Sequence, residues 1–222
     1  MRLRNIRGAR DRIAESPYVI DESLLTGMPG KWAEKFGNGD CPLCLEIGMG
    51  KGQFLTEMAL RHPEINFIGI ERYSSVLIRA LDKREKLLEE GTELKNLLYL
   101  RMNAEYLSSV FGEREVSRIY LNFSDPWPKD RHEKRRLPGR TFLRRYQQVL
   151  CPEGLVEFKT DNRTLFDFAH AEAEAEGWPV LVLTYDLHHD ALLSKGNIQT
   201  EYEEKFSSLG NPICKLVIQV PG

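Results

Sequence analysis

The chain has 222 residues, 41% hydrophobic and 29% charged, with a formal net charge of -2. These figures describe an ordinary globular protein that can bury a continuous core, and the slightly acidic balance argues against a general polyanion binder. No apolar run approaches the roughly 20 residues that span a bilayer, and the basic start MRLRNIRGARDR leads into no apolar stretch of the kind a secretory signal carries.

A cytoplasmic protein with no membrane association is expected. The four cysteines, Cys41, Cys44, Cys151 and Cys214, are too sparse for a disulfide framework. Cys41 and Cys44 form a CxxC, but no second pair and no nearby histidine completes a ligand set, so no metal is expected. Charge is unevenly distributed. Arg2, Arg4, Arg7, Arg10 and Arg12 face Asp11 alone, while Lys129, Arg131, Lys134, Arg135, Arg136 and Arg140 outnumber Asp130 and Glu133. Such clusters are either solvated faces or places of contact with phosphates.

In chain order, residues 1–40 read as a basic N-terminal arm with a lead-in helix, and residues 41–222 as the main domain. LCLEI (43–47) is a first strand whose glycine-rich exit opens a helix that stops before Pro63. INFIGIE (65–71) is a second strand, followed by a helix from Ser74 to Glu90 that ends near Gly91. LLYLRM (97–102) and RIYLNF (118–123) are the third and fourth strands. TFLRRYQQVL is a helix ending before Pro152 and Gly154, and LVEFKT (155–160) is the fifth strand. AEAEAEGW alternates like a strand, yet alanine and glutamate favour a helix, here Thr164 to Glu176. VLVLTYDL (180–187) and CKLVIQV (214–220) close the chain as an antiparallel pair. This alternation predicts a doubly wound α/β fold, Rossmann-like, with seven strands, mostly parallel.

LEIGMGKG places Gly48, Gly50 and Gly52 at a strand-to-helix turn, where backbone and ligand can approach closely. The spacing is GxGxG and does not meet the dinucleotide fingerprint GxGxxG. Glu71, at the end of the second strand, stands where an acid accepts hydrogen bonds from ribose hydroxyls. Glu46 is a carboxylate inside an apolar run and needs a partner to offset its desolvation. A salt bridge to a basic neighbour or an ammonium group on a cofactor would serve.

The fourth strand ends in SDPWPKDRHEKRR. A single carboxylate, Asp125, can accept from two adjacent donors, and guanine presents such a pair on its Watson–Crick edge. Trp127 offers a stacking face worth roughly 1–3 kcal/mol per base. Pro126 and Pro128 stiffen the loop.

The glycine turn and the distal acid resemble those of class I S-adenosylmethionine-dependent methyltransferases, whose sheets end in an antiparallel strand. SDPWPK with RHEKRR, FKTDN at the fifth strand and TEYEEKF near the end make the chain similar to the bacterial tRNA (guanine-N7)-methyltransferase family, over about residues 43–210. The resemblance implies an enzyme that moves a methyl group from S-adenosylmethionine to N7 of a guanine in the variable loop of tRNA. It implies cofactor-associated positions at Glu46, Gly48, Gly50, Glu71, Asn103 and Asp125, with Asp125 also catalytic. It implies a substrate side of Lys129, Asp161, Thr200, Glu201, Tyr202 and Glu203, and RNA contact by Arg131, His132, Lys134, Arg135 and Arg136. A monomer or a homodimer is compatible with it. The chain lacks the tryptophan-rich opening of many relatives.

Taken one by one, the residues leave alternatives open. Asn103 also suits a turn, Asp161 also suits a helix cap, and TEYEEKF also reads as a charged surface helix. A methyltransferase of exocyclic amino groups would carry proline where Trp127 stands. A non-catalytic tRNA-binding module with the same fold is the other alternative.

Overall fold

Residues 6–39 and 41–222 are described by the structure, a computed structural model. Their contacts gather them into two units that divide between Gly112 and Glu113. The first contains α1 (Ala9–Glu15), β1 (Val19–Ile20), α2 (Trp32–Phe36), β2 (Leu43–Ile47), α3 (Gln53–Arg61), β3 (Asn66–Glu71), α4 (Ser74–Glu89), β4 (Leu97–Arg101) and α5 (Leu107–Val110). The second contains β5 (Val116–Asn122), α6 (Arg140–Val149), β6 (Leu150–Thr160), α7 (Arg163–Ala175), β7 (Val180–Thr184), α8 (Glu201–Ser207) and β8 (Cys214–Gln219).

In the first unit the strands run β1-β4-β3-β2, all parallel. Every residue of β2 and β3 is buried, the pattern of strands covered on both faces. Gly69 lies within β3 with Met49 packed against it: a Cβ there would have to displace the Met49 side chain and would stand 3.1 Å from Leu55 and 3.2 Å from Tyr99. Met49, from the glycine turn, thus seats on the strand that carries Glu71.

The expected seven strands are eight among the described residues, and β1 is the addition. Two residues carry no periodicity that sequence reading can detect. Its register, Val19↔Tyr99 and Ile20↔Leu100, is held from outside the strand. Tyr99 N donates to Tyr18 O at 2.9 Å, and the Arg84 guanidinium lies 3.7 Å from the centre of the Tyr18 ring while donating to the carbonyls of Leu94 and Leu97. Arg12 pairs with Asp82 (2.9 Å) and Glu85 (2.8 Å) of α4, so this arginine of the basic start is engaged within the unit. Arg2 and Arg4 lie outside the described residues.

In the second unit the order is β5-β6-β8-β7, with β5–β6 parallel and the β6–β8 and β7–β8 pairs antiparallel. The antiparallel closing pair is as expected. β6 differs from expectation: it begins at Leu150 and passes through Pro152 and Gly154, which read as a break. Pro152 falls where the pairing with β5 slips between Val116 and Arg118, a position that asks no ladder donor of it. Glu153 absorbs the irregularity at φ 62°.

Among the described residues no helix is long and apolar enough to cross a membrane.

Candidate active site

The cofactor-side residues expected from sequence, Asp125 apart, fall in the first unit. As β2 ends, Gly48 and Gly50 turn the chain with φ of 78° and 59°, backbone that side chains rarely adopt. The turn is fixed by its neighbour strand, since Gly48 N and Met49 N both donate to Ile70 O, at 2.9 and 3.2 Å. Glu71 completes it. One carboxylate oxygen accepts from Gly50 N at 3.3 Å and the other from Tyr73 N at 2.9 Å, leaving the carboxylate at the strand end beside the glycines. A Cβ at Gly48 or Gly50 would meet nothing within 4 Å, so the outer side of the turn is open backbone. Glu46 is 1% exposed and lies in register with Gly69.

Asn103 does both things its type allows locally. Its oxygen accepts from Glu105 N (3.2 Å), which caps a single-turn helix over Ala104–Tyr106, and its amide donates to the Glu105 carboxylate (3.0 Å).

The residues expected on the substrate side fall in the second unit. Just past the end of β5 stands Phe123 at φ 53°, whose N–H donates to Lys159 O at 2.9 Å, and Trp127 follows at φ 42°. Two aromatic residues in left-handed backbone within five positions is an outlier of the kind that clusters at functional loops. Asp125 lies between them, exposed.

The Trp127 conformation is supported by the basic segment. Its carbonyl accepts from Arg136 Nε (3.3 Å) and Nη2 (3.2 Å), the Arg135 guanidinium lies 5.0 Å from its ring centre, and His132 meets the ring edge-on at 5.6 Å. Partial burial, then the charges of Arg135, Arg131 and Lys129, hold the His132 imidazole below its usual pKa. Asp130–Arg135 form a short 3-10 helix on which Arg131, Lys134 and Arg135 are exposed. Lys129, just before it, is exposed too. Arg136 is turned away from them, 4.5 Å from the Phe168 ring centre.

Asp161 and the Thr200–Glu203 run are brought together, although 39 positions separate Asp161 from Thr200. Tyr202 Oη donates to Asp161 at 3.2 Å, and burial, then the Asp161 charge, push the phenol pKa up. The Tyr202 ring stacks on Phe206 (4.1 Å) and lies 4.8 Å from Phe123. Thr200 is the N-cap of α8, its hydroxyl accepting from Glu203 N at 2.9 Å. Glu201 is half-buried.

Glu203, which its motif groups with the substrate side, has no exposed surface. It pairs with Lys159 at 2.6 Å. Sequence reading missed Lys159, Phe123, Asn197 and His188 of this cluster. The one available signal was a lysine in the middle of an apolar strand, FKT, which implies a buried partner.

Comparison with known proteins bears on both units. A family model described as "Putative methyltransferase" matches residues 40–216. A tRNA (guanine-N(7)-)-methyltransferase of Lachnoclostridium phytofermentans is 55% identical, covering 98% of this chain and 97% of the relative. One from Geobacillus sp. is 51% identical, covering 100% and 96%. Among solved structures, a 16S rRNA (adenine(1408)-N(1))-methyltransferase from Catenulisporales acidiphilia superposes with a TM-score of 0.62 over 87% of this chain and 94% of its own. At 12% identity that likeness concerns the fold alone. By full-length similarity and fold together, the chain belongs to the tRNA (guanine-N7)-methyltransferase family of class I S-adenosylmethionine-dependent methyltransferases.

Proposed function

We propose that the chain transfers the methyl group of S-adenosylmethionine to N7 of a guanine in the variable loop of tRNA, giving 7-methylguanosine, in the cytoplasm. The observation that carries this reading is an exposed carboxylate, Asp125, held between two left-handed aromatic residues beside a cationic segment, in a chain whose relatives are named for that reaction.

The residues of the first unit fit the cofactor. The open glycine turn offers backbone to a ligand at close range, and the Glu71 carboxylate at its side suits a ribose diol. Glu46 and Asn103 would complete the set, and Asp125 would serve both cofactor and base. When bound, S-adenosylmethionine supplies an electrophilic methyl group on a sulfonium.

Guanine N7 is a lone pair with no proton to lose, so the chain is not asked for a strong general base. Its task is alignment, which can lower a barrier by roughly 7–11 kcal/mol. Asp125 would accept from N1–H and the exocyclic amine of the guanine, and Trp127 would offer its ring face. Asp125 and Asp161 would also add negative potential where the purine becomes cationic. Lys129, Arg131, His132, Lys134 and Arg135 would meet the RNA, Arg136 would hold the loop through the Trp127 carbonyl, and Thr200, Glu201 and Tyr202 would lie on the substrate side.

Nucleoside analysis of tRNA incubated with the protein and labelled S-adenosylmethionine tests the reading. Label in 7-methylguanosine is expected, falling by about 10²–10³-fold in Asp125→Ala. Label on adenine or cytosine, or equal low transfer by wild type and variant, overturns it.

A further inference from the structure

Lys159 is an unusual residue to find in β6: 1% of its side chain is exposed, and its ammonium donates to Glu203 Oε2 (2.6 Å), Ile198 O (2.9 Å) and Asn197 Oδ1 (3.2 Å). The second Glu203 oxygen accepts from Asn197 Nδ2 at 2.7 Å and lies 3.2 Å from His188 Nε2. Removing two charges from water is costly, and a well-packed apolar pair often stabilises a fold as well or better. Stability alone is therefore a weak reason for this pair.

Its placement supplies another. The backbone carbonyl of Lys159 accepts from Phe123 N at 2.9 Å, the residue that opens the Asp125 loop in left-handed backbone. Its ammonium meanwhile holds α8 through Glu203, whose neighbour Tyr202 reaches Asp161 through its hydroxyl and Phe123 through its ring. One lysine thus ties the Asp125 loop by its main chain and the Tyr202 helix by its side chain. A displacement of about 1 Å at reacting groups can cost on the order of 100-fold in rate.

Resting on the methyl-transfer reading above, we propose that Lys159 and Glu203 form a positioning pair: neither touches the base, and together they fix Asp125, Asp161 and Tyr202 relative to one another. The Glu203 of the TEYE motif then acts through Lys159.

The test is a double-mutant cycle on the full chain. Lys159→Met, Glu203→Gln and the double variant are assayed for methyl transfer with kcat and KM for tRNA separated, beside S-adenosylmethionine affinity by equilibrium dialysis and thermal unfolding. Each single change is expected to lower kcat by about 10–100-fold with tRNA KM within about threefold. The double variant is expected within about threefold of the worse single, because both changes remove one interaction. Cofactor affinity within about threefold of wild type shows that the first unit is intact.

Losses that multiply in the double variant overturn the proposal, since Glu203 would then act independently of Lys159. So does an unchanged kcat in protein that only melts earlier. Where Lys159→Met yields no folded protein, Asn197→Ala keeps the pair and removes a half-buried contact to both members. A fall of about three- to fivefold in kcat at constant KM supports the pair's role, and an unchanged kcat overturns it. A wild type inactive at guanine N7 removes this inference together with the reading it rests on; an active wild type with multiplying losses removes this inference alone.

Discussion

Two glycines in the same turn make different demands. Gly50 has φ 59° and open space where a Cβ would go, whereas Gly52 has φ 74° and would place its Cβ 2.8 Å from that of Ala80 in α4. Gly50→Ala carries only the left-handed penalty, about 1–2 kcal/mol. Gly52→Ala adds overlap with a packed helix, for a total of about 2–5 kcal/mol. Urea unfolding should rank the variants in that order. Equilibrium dialysis should show Gly50→Ala weakening S-adenosylmethionine binding beyond what its small stability loss explains, because the added methyl occupies the open side of the turn. The glycines and Glu71 were legible in the sequence because a strand exit followed by an acid at the next strand's end is a local pattern. Glu203 was not: 44 positions separate it from the lysine that buries it, and a charged helix reads as solvent-facing until its partner is known.

Elements show the same contrast. β2 and β3 were legible as unbroken apolar runs of strand length, and α7 as a run of strong helix formers. The start of β6 was hidden by proline and glycine signals that a register slip tolerates, and β1 by its two residues. The α6–α7 contact was also invisible. Gly139 has no side chain to cap α6, and Glu172 of α7 supplies the missing acceptor, taking Arg140 N and Arg140 Nε, both at 2.8 Å. These bonds, chiefly to the guanidinium, hold the Glu172 carboxyl below its usual 4.5 despite its burial. A lowered folded pKa stabilises fully above the unfolded value and is lost as pH falls through the folded one. Glu172→Gln should therefore lower the thermal midpoint by about 2–4 °C at pH 7. The gap to wild type should close as pH drops below about 4.5 and through the depressed folded value. A gap that persists in acid would mean that packing, and not the charge, holds the two helices.

For the molecule as a whole, the formal charge of -2 means that attraction to tRNA must come from where cations sit. Arg12 is taken up by Asp82 and Glu85, and Arg136 by the Trp127 carbonyl and the Phe168 ring. Arg131, Lys134 and Arg135 remain exposed on one short helix. Counterion release ties each phosphate contact to a fixed increment in the salt dependence of binding, about 0.7–0.9 in the log–log slope. Replacing Arg131, Lys134 and Arg135 with alanine should weaken tRNA binding and flatten that slope by about 2–3, measured by filter binding across a salt series. Arg136→Ala should do something different. Its guanidinium fixes the left-handed backbone of Trp127, so its loss should leave the slope nearly unchanged and lower kcat instead, by freeing the loop that carries Asp125. Equal slope changes from Arg136→Ala and Lys134→Ala would assign both to phosphate contact and remove the distinction between a cation that meets RNA and one that shapes the loop.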